Sequence, residues 1–227
     1  MSQSTSLSSL LPFALASGVV GSFHARGTII KVMEGQKSPF YFNVNASESQ
    51  NMSKVIFTGE RTYITYRSYL TDALFGNNGN CPYLIPINPE GSAASSIQLV
   101  LGYKKKTTGE EVNMTRHAEL ITYHGYQAPN ILSIKSAKNN RAEERRYTLI
   151  FSDYSKCSVV RSSYMSGGCE IWAPTSTAGQ EPTPCCLFLY EILCGKMKFQ
   201  MYDADKCSIV IPTEEPEPVE LVIQKDK

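Results

Sequence analysis

Six of the seven cysteines of this 227-residue chain lie between Cys157 and Cys207, after its densest run of strand-like sequence. Cysteines packed this closely among β-patterned segments read as a disulfide framework, because only an oxidising compartment lets such bridges form and persist. A secreted, extracellular protein is expected, not a cytosolic enzyme. With 42% hydrophobic and 19% charged residues the chain can bury a sizeable core, and one domain is the default for an all-β barrel of this length. A net charge of +1 leaves no excess of cations for phosphate neutralisation, so Lys104-Lys-Lys106 reads as a solvated turn and no nucleic-acid partner is expected.

The uncharged stretch Leu10-Leu-Pro-Phe-Ala-Leu-Ala-Ser-Gly-Val-Val-Gly21 is shorter than the roughly twenty residues that span a bilayer. It reads as the apolar part of a signal peptide, although no basic segment precedes it. Residues 1–25 are assigned to this leader, 26–211 to the folded domain and 212–227 to an acidic, proline-interrupted tail that is expected to be unordered. No membrane association is expected. The sequons at Asn45, Asn51 and Asn113 are glycosylation candidates.

Residues from Ala46 to Val55 suggest a short N-terminal helix. Arg61 to Leu70, rich in β-branched and aromatic residues, reads as a strand, and Gly76-Asn-Asn-Gly-Asn80 breaks it. Further strands are predicted at 96–104, 111–120, 121–123, 130–136, 146–151, 158–163 and 170–173. Short strands separated by turn residues suggest an antiparallel meander that closes into a barrel or sandwich. Pro184 and Gly195 bracket an apolar run that reads as a helix of about three turns.

No catalytic motif stands out. His24, His117 and His124 form no metal-binding or catalytic pattern, no zinc-type cysteine spacing is present, and neither a phosphate loop nor a nucleophile elbow occurs. No metal and no cofactor are expected.

Strands followed by one late helix bounded by cysteines, together with Tyr66-Arg-Ser-Tyr69, Asp72, Phe75-Gly76, Cys81, Phe151-Ser-Asp-Tyr154, Cys157, Cys169-Glu-Ile-Trp172 and Cys185-Cys186, resemble the tick salivary lipocalins that include the histamine-binding proteins. The resemblance implies an eight-stranded antiparallel lipocalin barrel with a C-terminal helix packed outside and a short N-terminal helix. It implies a cavity for a small host mediator, a histamine- or serotonin-type amine, whose sequestration dampens host inflammatory and defence responses. A monomer is expected. The alternatives are a scavenger of a leukotriene, fatty acid or sterol, and a module that blocks a host protein through its loops.

The family's bridges carry over as Cys81 with Cys207 and Cys157 with Cys186 or Cys185, leaving Cys169 and Cys194 as a third pair. Its ligand set carries over as Tyr69, Asp72, Phe75, Glu170 and Trp172. A desolvated ammonium needs a carboxylate and is attracted to aromatic faces. Asp72 is the expected charge partner, or else the cap of a turn. Glu170 and Trp172 sit two apart, so a strand would turn both to one face. Ser158 occupies the place of a third family acid, so at most one good amine site is expected. Arg67, Arg116 and Arg161 could hold a carboxylate headgroup, or lie exposed on strands.

Overall fold

The structure, a computed structural model, describes residues 22–25, 28–31, 42–87, 96–138, 141–163 and 167–207. The body of the expected leader and the acidic tail lie outside these residues. The chain divides into two compact units, Met1–Lys37 and Ser38–Lys227. The first contains an antiparallel hairpin of β1 (Ser22–Ala25) and β2 (Thr28–Lys31), which crosses the expected leader boundary at residue 25.

The second unit begins with a 3-10 helix at Val44–Ser49 and a five-residue helix α1 (Met52–Ile56), where the sequence suggested one helix. Asn51 separates the two. Its side chain accepts from the N–H groups of Ser53 and Lys54, which have no partner within the helix. Gln50 anchors the segment, donating to the Ile150 carbonyl at 2.8 Å and accepting from the Tyr126 hydroxyl at 2.7 Å.

Eight strands then close into an antiparallel barrel: β3 (Thr62–Arg67), β4 (Asn80–Pro86), β5 (Ser96–Lys104), β6 (Glu111–Ile121), β7 (Ile131–Lys138), β8 (Arg141–Ser152), β9 (Ser158–Ser162) and β10 (Cys169–Pro174). Pairing of β10 with β3 completes the ring and removes the sheet edges. The period of two selects the inner face, as in the cross-strand row Ile97, Ala118, Ile134, Arg145 and its neighbour Leu120, Leu132, Tyr147. Inside, Ile64, Leu84, Leu99, Leu101, Leu132, Leu149, Val160 and Trp172 form one apolar cluster, joined by Met52, Val55 and Ile56 from α1.

Two register shifts decide what faces inward. In β10 the inward residues Glu170 and Trp172 are two apart, whereas their partners on β3, Arg67 and Ile64, are three apart. The additional residue, Thr65, is a bulge that restores Arg67 to the interior. A second shift, at Ile150 in β8, turns Leu149 and Ser152 to the same face.

Strand β4 was not read from the sequence, because Pro82 and Pro86 argue against a strand. Pro82 lies in the irregular stretch between Asn80 and Tyr83, and β4 pairs with β3 only at Tyr83 and Leu84, so neither ladder needs its missing N–H.

Helix α2 (Pro184–Cys194) has the bounds read from its flanking proline and glycine and packs outside β8, β9 and β10, burying Cys186, Leu189 and Tyr190. A two-residue strand β11 (Phe199–Gln200) adds to β3, and a short helix α3 (Ala204–Cys207) follows. Disulfides join Cys81 to Cys207, Cys157 to Cys186 and Cys169 to Cys194, leaving Cys185 as a half-buried free thiol.

Candidate functional site

At one level inside the barrel the inner faces of β3, β8 and β10 meet the turn that follows β3. Tyr69, Asp72, Phe75, Glu170 and Trp172 are all buried there, with Asp72 and Glu170 at 0% exposure. Four are joined directly. The Tyr69 hydroxyl donates to Glu170 Oε1 and lies 3.5 Å from Asp72 Oδ2. Trp172 Nε1 donates to Glu170 Oε2 at 2.6 Å. Phe75 belongs to the adjoining apolar cluster, which also contains Tyr147 and Trp172 with ring centroids 5.4 Å apart.

Asp72 takes the second of the two roles considered for it, that of a turn cap, and is buried. Its Oδ1 accepts from Leu74 N at 2.9 Å, capping the 3-10 turn Ala73–Phe75, and it forms an ion pair with Arg145. The aspartate is therefore already matched by a cation of the protein. This corrects the expectation that Asp72 is the carboxylate open to an amine.

Arg145 and Tyr147 were missed in the sequence because Glu143-Glu-Arg-Arg-Tyr147 resembles a solvated charged strand. Alternation back from Leu149 would have placed both on the inner face. Ser158 faces inward opposite Trp172, and its hydroxyl lies 2.8 Å from that of Ser152.

The three arginines first considered behave differently from one another. Arg67, at 0% exposure, is not a surface residue: its Nη2 donates to the carbonyls of Leu70 and Asn77 at 2.7 and 3.2 Å. Arg116 shares the inner-face row of Leu99, half-buried, and donates to the Thr115 carbonyl. Arg161 points outward and ties the Gly167 carbonyl to that of Leu193 at the end of α2. His117 and His124 are exposed, and the side chain of His24 lies outside the described residues. Asn45 and Asn113 are exposed, while Asn51 is half-buried as a helix cap.

Burial sets the electrostatics. Glu170 is pushed up to about 7, first by desolvation and then by the Asp72 charge, against the hydrogen bonds from Tyr69 and Trp172 and the field of Arg67. Desolvation and the Glu170 charge likewise raise the phenols of Tyr69 and Tyr147. For Arg145 burial acts downward as the largest single influence, but the charge and hydrogen bonding of Asp72 and Tyr147 together hold the guanidinium above its ordinary value. Gly168 makes room for the cluster: a Cβ there would lie 2.5 Å from the Tyr69 ring.

A closed eight-stranded antiparallel barrel with a helix packed outside it defines a lipocalin-type fold. The sequence matches the tick histamine binding protein family over residues 43–209, and the chain belongs to that family. Insecticyanin from the tobacco hornworm Manduca sexta superposes with a TM-score of 0.52 at 9% identity, covering 71% of this chain and 87% of its own. A structure described as the AM182 serotonin complex gives 0.49 at 17% identity, covering 79% and 98%. Japanin from Rhipicephalus appendiculatus bound to cholesterol gives 0.44 at 13% identity, covering 63% and 92%. No curated protein matches the sequence significantly. Among the described residues no helix is long and apolar enough to cross a membrane.

Proposed function

We propose that this chain is a secreted salivary lipocalin that sequesters a small cationic amine of the histamine or serotonin type inside its barrel, with Glu170 as the charge partner, and so dampens host defence. The observation that carries the reading is the Glu170 carboxylate, buried between Tyr69 and Trp172 and poised to ionise near neutral pH. A carboxylate offers about four acceptor positions. Tyr69 and Trp172 occupy two, which leaves acceptor capacity for an ammonium beside the Trp172 and Tyr147 rings, where cation-π attraction adds to the charge.

Membership of the histamine binding family and the three disulfides support sequestration outside the cell. Exposed Asn45 and Asn113 are the better placed glycan acceptors.

The test is titration calorimetry with histamine at pH 7.5 on the wild type and on Glu170→Gln. One site per chain is expected. The variant should bind about ten to a hundred times more weakly, the value of one charge-assisted hydrogen bond. Unchanged affinity in Glu170→Gln would remove Glu170 as the charge partner. No heat with any amine, alongside tight binding of a fatty acid or leukotriene, would make this a lipid scavenger, and no small-molecule binding at all would transfer the activity to the loops.

A further inference from the structure

The buried cluster holds more cationic hydrogen-bonding capacity than its own acceptors use. Arg67 hydrogen-bonds only through Nη2; its guanidinium lies 5.4 Å from the Tyr69 ring centroid, and its Nε and Nη1 are buried without a hydrogen-bond partner. The Tyr147 hydroxyl is buried as well. The Arg145 guanidinium beside it can only donate to the phenol oxygen, so the phenolic proton itself has no acceptor. Unmet donors at this depth are costly, so three of them around one carboxylate point to an acceptor brought from outside.

Charge leads to the same group. Two guanidiniums, Arg67 and Arg145, face two carboxylates, Asp72 and Glu170, and are balanced when Glu170 is ionised. A simple monoamine would add one positive charge to that balanced set, and half-buried Arg116 on the same inner face adds another. A ligand that carries a negative group with its ammonium leaves the balance intact. Arg67 and Glu170 are direct cross-strand partners, so the two ligand charges must be close together.

We infer that Arg67 and Tyr147 form a hydrogen-bond donor subsite for a carboxylate beside Glu170, and that the barrel prefers a ligand whose carboxylate adjoins its ammonium, an aromatic α-amino acid or a compound built on one. The inference rests on the amine reading of Glu170 and narrows it. In the bound state Glu170 receives the ammonium, the free Arg67 donors and the Tyr147 hydroxyl receive the carboxylate, and the aromatic group lies against Trp172.

Calorimetry at pH 7.5 with matched pairs tests it, using tryptamine against tryptophan and histamine against histidine, with indole-3-propionate as the acid lacking the amine. In the wild type the acid-bearing member of each pair should bind about tenfold more tightly, one charge-assisted contact being gained. Arg67→Met should invert that ratio within each pair. Tyr147→Phe, which keeps the ring and removes only the hydroxyl, should reduce it and serves if the arginine variant does not fold. Tryptamine binding at least as tightly as tryptophan overturns the subsite and leaves the amine reading intact. Binding of indole-3-propionate without tryptamine, or of none of these compounds, overturns both.

Discussion

Glu170 shows how burial and hydrogen bonding together set the behaviour of one side chain. Its folded pKa of about 7 lies above the ordinary 4.5, so the folded state holds the proton more tightly than the unfolded one. The resulting cost is absent below pH 4.5, grows as pH rises towards 7 and is complete above it, at about 3 kcal/mol. Glu170→Gln should therefore gain stability over the wild type between pH 5 and 8, read as a difference in denaturant midpoint that widens with pH. Asp72 behaves oppositely, because Asp72→Asn keeps an oxygen for Leu74 N but leaves the Arg145 charge buried without its counter-ion. A loss of about 3–5 kcal/mol is expected, and replacing both residues by apolar ones should recover much of it. Gly168→Ala should push the Tyr69 ring off Glu170 and weaken amine binding, an effect visible in the titration while the far-ultraviolet spectrum stays unchanged. The alternation of Glu170 and Trp172 was legible in the sequence. The pairing of Asp72 with Arg145 was not, since the two are 73 positions apart and meet only once the barrel closes.

Elements were legible where local chemistry agreed with tertiary context. The α2 helix begins at Pro184, which presets the backbone of the first turn, and ends before Gly195, whose φ of 84° suits a residue without a side chain. Strand β4 was illegible because its prolines are tolerated only through an irregular register with β5 and a short pairing with β3. The bulge at Thr65 left no signal either, yet it aims Arg67 into the barrel. At this scale the bridge Cys169–Cys194 matters most for the site, since it fastens the end of α2 to β10 one residue before Glu170. Replacing both cysteines by serine should cost about 3 kcal/mol on the chain-entropy account for a 25-residue separation. The loss should appear as a lower midpoint in guanidinium, with faster amide exchange concentrated in α2 and β10.

For the whole molecule, the order of strands, late helix and cysteines carried the family resemblance, and the family match spans residues 43–209. The charge inside the barrel was not carried in that order, because it depends on which face each of Arg67, Arg116, Arg145, Asp72 and Glu170 presents, and the bulge at Thr65 turns Arg67 inward against simple alternation. In an amine-sequestering barrel of this kind Glu170 must ionise to receive the ligand. The most direct measurement is calorimetric titration with tryptamine, whose ammonium stays charged throughout, at pH 6 and pH 8 in buffers of different ionisation enthalpy. The groups facing Glu170 are Asp72, Arg67, Arg145, Tyr69 and Tyr147; the phenols of Tyr69 and Tyr147 and the Arg145 guanidinium are all held above their ordinary values and keep their charge state in that interval. Affinity should rise about tenfold from pH 6 to pH 8, with a proton released on binding at the lower pH, as expected for a carboxyl group of pKa about 7. Affinity that is independent of pH, or that falls towards pH 8, would contradict the account.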